Sequence, residues 1–470
     1  MSVDKVLLNR RTSMKRCVMA AELPVVVIGA GPVGLAAAAE AEQRGLPVLV
    51  LEKEERAGAA VAEWGHVRLF STWRDLIAPA AEKLLAATGW RRPSDDAYPT
   101  GADWVRDYLE PLAAALGERV RLGAEVVGVS RRGRDRVVDA GRDEQPFTVR
   151  VRTAGGREER LLARAVIDAS GTWGSPNPLG GDGLPALGEA AAADRISYRV
   201  PDTADGAVRA RHAGRRTAVA GSGHSALTAL VLLAGLAEQE PGTRAVWVLR
   251  RGEVGDAFGG GDADRLAARG ALGERARRAV EAGHIEVVTG FRTAEVRATD
   301  GGVVLVGEDG RALDPVDEVV ALTGFRPDLS PLSEVRLGLD ATLQAPVALA
   351  PLIDPNLHSC GTVYPHGAAE LSHPEPGFYL AGMKSYGRAP TFLALTGFEQ
   401  VRSIAAEIAG DREAAGRVEL VLPETGVCKG SGLPDAEQEE AGAAAEGGCC
   451  GTAAGPQPVE VVLPAPSPQT

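Results

Sequence analysis

The chain has 470 residues, 45% hydrophobic and 24% charged, which fits two or three globular domains and excludes a chain disordered or fibrous throughout. Aromatic residues make up only 4%, against 58 Gly and 30 Pro, so the core is expected to be mainly Ala, Val and Leu, a composition suited to helices packed closely on a sheet. A net charge of -12 at pH 7 leaves no basic excess to neutralise phosphates, and nucleic acid is excluded as an expected partner.

Residues 1–21, with Arg10, Arg11, Lys15 and Arg16, read as a flexible leader. A first domain is expected over 22–200. The apolar run Val25 to Ile28 is followed by Gly29, Gly31 and Gly34, an Ala-rich helical stretch to Arg44 and a second apolar run from Pro47 to Leu51, which together predict a β-α-β unit. Trp64 to Ala115 reads as mostly helical with loops, and its Trp64, His66, Phe70, Trp73 and Tyr98 suit a pocket lining. From Val120 to Gly171 short alternating strands predict an antiparallel meander attached to a parallel sheet.

A second domain over 201–330 repeats the β-α-β pattern. TAVAGSG from Thr217 opens an Ala/Leu-rich helix, and the next strand, AVWVLRR, ends at Arg251. A Gly-rich loop, a helix to about Ala282 and strands at Ile285–Val288, Val303–Gly307 and Glu318–Thr323 are expected to complete it. The segment 331–422 returns to the first domain through GFYLAGM (Gly377–Met383) and a helix near 391–408. The stretch 423–470, rich in Gly, Ala, Pro and Glu, predicts a disordered tail. No other run reaches the roughly 18 apolar residues that cross a bilayer, and five scattered cysteines are no secreted disulfide framework. The expectation is a cytoplasmic protein without a membrane partner; a homodimer is left open.

Gly29, Gly31 and Gly34 sit between a strand and a helix and lead to Glu52 at the end of the next strand. In that context the first glycine permits a tight turn, the second admits a pyrophosphate, the third lets helix and strand pack, and the carboxylate receives a ribose hydroxyl. Gly221 and Gly223 in GSGHSA repeat the arrangement, but the following strand ends in Arg250 and Arg251. Arginine pairs with a 2′-phosphate that a carboxylate would repel, so NADPH is expected over NADH. The fold class is therefore α/β, with two Rossmann-like dinucleotide-binding domains, the second inserted in the first.

Two unlike dinucleotide units, with IDASGTWG (Ile167–Gly174), ALTGFRPD (Ala321–Asp328) and GFYLAGM in order, resemble the flavin-containing monooxygenase and pyridine-nucleotide oxidoreductase superfamily over residues 24 to about 410. The resemblance implies FAD on the first turn and NADPH on the second. The expected cofactor set is Gly29, Gly31, Pro32, Gly34, Glu52, Lys53, Ser170, Gly171, Gly324, Gly382, Met383 and Lys384, with Gly221, Gly223, His224, Ser225, Arg250 and Arg251. Trp64, His66 and Cys360 are the candidate catalytic residues, and Arg388 lies beside the flavin-gripping turn.

The resemblance further implies that NADPH reduces FAD and that oxygen then forms a flavin hydroperoxide, which a soft nucleophile attacks without a metal or protein nucleophile. Molecular oxygen and a small molecule are thus the expected partners. Reduction of a dithiol through a flavin-adjacent disulfide is not expected, because the sequence has no CxxC or CxxxxC. It also departs from the superfamily pattern: no FxGxxxH precedes the second glycine motif, and Met383 stands where related reductases place Asp. An NADPH-dependent flavin reductase without oxygen transfer, and a metalloid carrier with structural flavin, are the alternatives.

Cys428, Cys449 and Cys450 lie among Gly and Ala, where no core explains a thiol. Thiolates are soft ligands. The adjacent pair resembles the metal-capturing cysteines ending mercuric reductases, and the whole chain resembles the flavin-binding monooxygenases of arsenic-resistance operons. A metalloid site at these three cysteines is the reading; drift in a dispensable tail is the alternative. His358, Cys360, His366 and His373 match no standard zinc spacing, so no metal is expected there. Replacing Cys428, Cys449 and Cys450 together with Ser is expected to weaken arsenite binding, read by titration; unchanged binding and turnover would discard the site.

Overall fold

A computed structural model describes residues 22–259, 266–357, 366–389 and 392–419. The expected leader and tail, and with them Cys17, Cys428, Cys449 and Cys450, lie outside the described residues, as do His358 and Cys360. The strands run in chain order β1 (Val25–Ile28), β2 (Val48–Leu51), β3 (Val120–Arg121), β4 (Ala124–Arg131), β5 (Phe147–Thr153), β6 (Glu158–Ala163), β7 (Ala165–Asp168), β8 (Ile196–Ser197), β9 (Arg216–Ala220), β10 (Arg244–Val248), β11 (Ile285–Val288), β12 (Thr293–Thr299), β13 (Gly302–Gly307), β14 (Glu318–Ala321) and β15 (Phe378–Leu380). Three helices organise the site: α1 (Pro32–Gln43), α2 (His224–Gln239) and α3 (Ala394–Ala409).

Two parallel five-stranded sheets form, one in the order β15-β7-β1-β2-β3 and the other β11-β10-β9-β14-β8. Strands β1, β7 and β14 are buried along their whole length, as strands covered on both faces must be, which is why they read as continuous apolar runs. The chain enters the second sheet after β7 and returns through β15, so the second domain is an insertion in the first. The helix α1 starts with Pro32 at its first position, where a missing N–H costs nothing. Its small buried residues Ala36 to Ala39 let it lie close to the sheet. On its other side, Gly397 admits α3: a Cβ there would stand 2.5 Å from Val33 Cγ2.

The meander is smaller than its sequence suggests. Val120 and Arg121 pair in parallel with Val50 and Leu51, and the run LLARAVID divides at Arg164, whose N–H bonds the Pro24 carbonyl. β6 before it pairs antiparallel with β5, whereas β7 after it pairs in parallel with β1. β12 was not expected: most of its residues are half-buried or exposed, and it is held by the antiparallel β13 on one edge and by a bridge to Leu187 on the other. The short edge strand β8 was not expected either; it joins its sheet through two residues beside β14.

Glu375, fully buried on the return segment, receives Arg131 Nε from β4 at 2.7 Å and Arg142 Nη2 from the β4–β5 loop at 2.6 Å. One carboxylate thereby joins the meander to the returning chain. Among the described residues, no helix is long and apolar enough to cross a membrane.

Two histidines are buried uncharged. Burial, with the nearby Arg211 charge, pushes His212 from 6.5 down to about 4, and burial pushes His373 down to about 4 against the bond from the Gly338 N–H. The unfolded chain therefore binds these protons first, so their stability contribution is intact above pH 6.5 and lost as pH falls from 6.5 to 4. A shift of this size corresponds to about 3 kcal/mol per group. Urea midpoints are expected to fall over this window, and His212→Gln or His373→Gln should flatten the fall; a variant with an unchanged pH slope would contradict the assignment.

Candidate functional site

The sheet of β1 and the sheet of β9 each end in a glycine turn feeding a helix. At the first turn Gly29 has φ +97°, and a Cβ there would stand 2.9 Å from Ser170 Cα. A Cβ on Gly34 would stand 1.9 Å from the Gly29 carbonyl oxygen. Gly31 differs: its Cβ would meet no protein atom within 4 Å. The second turn repeats this pattern. Gly221 has φ +134° and would place a Cβ 2.3 Å from Leu322 O, while Gly223 faces open space. Neither α1 nor α2 has a side-chain N-cap, so their first-turn N–H groups and positive dipole ends suit an anionic ligand. Each turn is thus an open cradle, and the residues fit a dinucleotide.

Glu52 lies under the first turn, its Oε2 accepting from Ala30 N at 2.7 Å and Oε1 from Glu54 N at 3.0 Å. The carboxylate braces the turn itself, a role that spacing alone does not reveal. Lys53 is exposed, 3.4 Å from Glu54. On the other side of the turn lies a buried unit that sequence reasoning only half found. Lys384 Nζ donates to Asp168 Oδ2 at 2.7 Å and to Ser170 Oγ at 3.0 Å, and Ser170 Oγ donates to Asp168 Oδ1 at 2.6 Å. Ser170 and Lys384 were expected from their motifs; Asp168 reads as an ordinary strand end.

Gly382, with φ +68°, rests on Val33, its Cβ position 3.3 Å from Val33 Cβ, and Met383 beside it is half-buried. The Gly382 N–H is held by Gln400 Oε1 at 2.8 Å, and Gln400 Nε2 donates to Ser385 Oγ at 2.9 Å. Gln400 is fully buried on α3 and carries no motif, so only the packing of α3 on this turn exposes its role. His366 has Nε2 2.8 Å from Gln400 Nε2. Among the described residues, no group of three metal-ligating side chains forms.

The two domains meet at paired crossings. Pro176 and Phe325 form an antiparallel bridge, Asn177 N bonds Gly324 O at 2.9 Å, and Arg326 Nε donates to Asn177 Oδ1 at 2.6 Å. Gly324, with φ +98°, sits in this bridge, while Gly171 faces open space. The Arg199 guanidinium lies 3.9 Å from the Trp173 ring centroid, and Trp173 Nε1 donates to Glu63 at 2.8 Å.

From the first domain, Phe70 reaches the second glycine turn, its ring centroid 5.4 Å from that of the half-buried His224; Ser225 beside it is exposed. His66 Nδ1 stands 4.0 Å from Asp202 Oδ2, and its buried Nε2 has no hydrogen-bond partner. Trp64 packs its ring over Gly101, where a Cβ would stand 2.8 Å from Trp64 Cε3, so its indole belongs partly to the core. At the end of β10, Arg250 Nη1 donates to Gly181 O at 3.1 Å. Burial and the charges of Arg292 and Arg251 push Arg250 down from its ordinary value, the electrostatic condition that a bound anion relieves. Arg292, just before β12, joins this cluster without a sequence signal because β12 itself was missed.

The glycines separate ligand effects from fold effects. Gly31→Val is expected to melt like flavin-free wild-type protein and to lack flavin absorbance. Gly34→Ala, forced against the Gly29 carbonyl, should itself unfold more easily; equal loss of stability in both variants would contradict the open cradle.

A family model described as pyridine nucleotide-disulphide oxidoreductase matches residues 26–348. The ferredoxin–NADP reductase of Ralstonia pickettii (strain 12J) is 26% identical over 313 residues, 66% of this chain and 70% of that protein. The indole-3-pyruvate monooxygenase YUCCA1 of Oryza sativa subsp. japonica is 35% identical over 153 residues, 32% of each chain. In fold, the bacillithiol disulfide reductase Bdr (YpdA) of Bacillus cereus superposes with a TM-score of 0.61 at 20% identity, covering 83% of this chain and 99% of that one. With its two open glycine cradles, the chain belongs to the pyridine nucleotide-disulphide oxidoreductase family and is an oxidoreductase.

Proposed function

We propose that this enzyme is a monooxygenase that delivers oxygen to a soft nucleophilic atom, with trivalent arsenic as the substrate to test first. The observation that carries the reading is the pair of open cradles, one backed by Glu52 and the other ending in Arg250 and Arg251, in a sequence without a CxxC or CxxxxC pair. When bound, the cofactors supply hydride transfer from nicotinamide to flavin and oxygen activation by the reduced flavin. The protein's part is to hold and shield them.

In this reading the first-turn amides of α1 and α2 bind the diphosphates. Arg250 and Arg251 pair with the 2′-phosphate. The Phe70–His224 contact covers the nicotinamide side and excludes water. His66, held toward Asp202, takes or gives a proton at Nε2. Cys360 receives the substrate, and Cys428, Cys449 and Cys450 deliver it as a soft metalloid in the cytoplasm.

A second reading, an NADPH-dependent flavin reductase without oxygen transfer, is favoured by the relative matched over the longer stretch, a ferredoxin–NADP reductase. NADPH oxidation measured with arsenite, thiols and amines while peroxide is monitored separates the two. Oxygenated product equal to NADPH consumed supports the monooxygenase, and peroxide with no product supports the reductase. Replacing Arg250 and Arg251 with Gln is expected to raise the KM for NADPH about tenfold or more while leaving that for NADH nearly unchanged, the scale of losing a charge-assisted pair; equal changes would remove both arginines from phosphate recognition.

A further inference from the structure

Asp168 ends β7, and Lys384 lies in the turn after the neighbouring β15. Their side chains are 2% and 4% exposed, and the Ala381 N–H, bonded to Asp168 O at 2.9 Å, carries the strand pairing up to them. Burying an ion pair is seldom a source of stability, because desolvation of both charges offsets their attraction. β7 and β15 are already joined by backbone hydrogen bonds, so the sheet does not require the pair.

Its location suggests what does. Ser170, bonded to both charges, touches the first glycine turn through its backbone, with Cα 2.9 Å from the Cβ position of Gly29. Gly382, two residues before Lys384, rests on Val33 in the first turn of α1. The pair is thus bracketed by the cradle, at the carboxyl edge of the sheet where α/β proteins bind their ligands. Exposed Asp328 is held below the ordinary carboxyl range: burial pushes it up, but bonds from Ser330 and the charge of Lys384 pull it down further. The charge of Lys384 is thus felt outside the pair, at an exposed side chain.

We infer that Lys384 is a fixed cation beside the flavin and Asp168 the positioning residue that keeps it charged and in place, so that the pair favours reduced FAD over oxidised FAD. The inference rests on the reading that the first turn holds FAD. Reduction adds negative charge to the ring, and a fixed positive charge several ångströms away in a site shielded from water changes the relative affinity by about tenfold. Neither residue needs to exchange a proton for this effect.

Lys384→Met removes the cation but leaves Asp168 unpaired, so the double variant Asp168→Asn/Lys384→Met guards against misfolding. It removes both charges at nearly constant shape and is expected to melt no lower than wild type. Affinities for oxidised and for dithionite-reduced FAD are measured anaerobically on refolded or flavin-stripped protein, with the midpoint potential as a second readout. The ratio of reduced to oxidised affinity should drop about tenfold in Lys384→Met and severalfold in the double variant, with a more negative potential in each. A ratio within twofold of wild type in a double variant that still binds FAD would make the pair purely structural and overturn the inference. Wild-type protein that takes up no FAD would instead remove the reading of the first turn, and the inference with it.

Discussion

Two backbone approaches carry this molecule. The Cα of Gly34 sits so near the Gly29 carbonyl that a methyl group would stand 1.9 Å from its oxygen, and Gly221 is pressed against Leu322 O in the same way at 2.3 Å. Only glycine allows these contacts. The first brings the N-terminus of α1 onto the end of β1 and the second holds the other turn against the end of β14, leaving open space beside Gly31 and Gly223. Every other feature of the site is arranged around these two helix ends.

The first cradle is braced from three directions. Glu52 bonds the turn from below, Ser170 abuts it from β7, and Gly382 rests on Val33 from the returning chain. Each brace comes from a different part of the sequence, and the returning turn is held in place by Gln400 on α3. The second cradle is less enclosed. Phe70 from the first domain covers part of it, and the crossings tied by Asn177, Arg326 and Phe325 join the two sheets.

Much of the fold was legible in the sequence because strongly periodic elements declare themselves. Strands β1, β7, β9 and β14 are buried on both faces, so they appear as apolar runs, and the glycines appear where side chains are forbidden. The meander's limits were not legible, since LLARAVID is a single apolar run although Arg164 turns it from one sheet into another. β12 was missed because its burial does not alternate: only Thr293 and Val296 are buried and its last three residues are exposed. In the site, motif glycines and Arg250 and Arg251 stood out by spacing. Asp168, Gln400 and Arg292 did not, because a single acid, amide or guanidinium has meaning only beside the groups it meets in space.

The sequence by itself determined that two strand-turn-helix units occur, that the second ends in arginines instead of a carboxylate, and that no spaced dithiol accompanies them. These are local facts, set by residues within about one β-α-β unit. Tertiary structure alone decided that Glu52 braces its own turn, that Lys384 is buried against Asp168, and that His224 lies against Phe70. Those contacts join residues distant in sequence, and their energies depend on burial and direction, which exist only once the sheets are formed and the chain has returned to them.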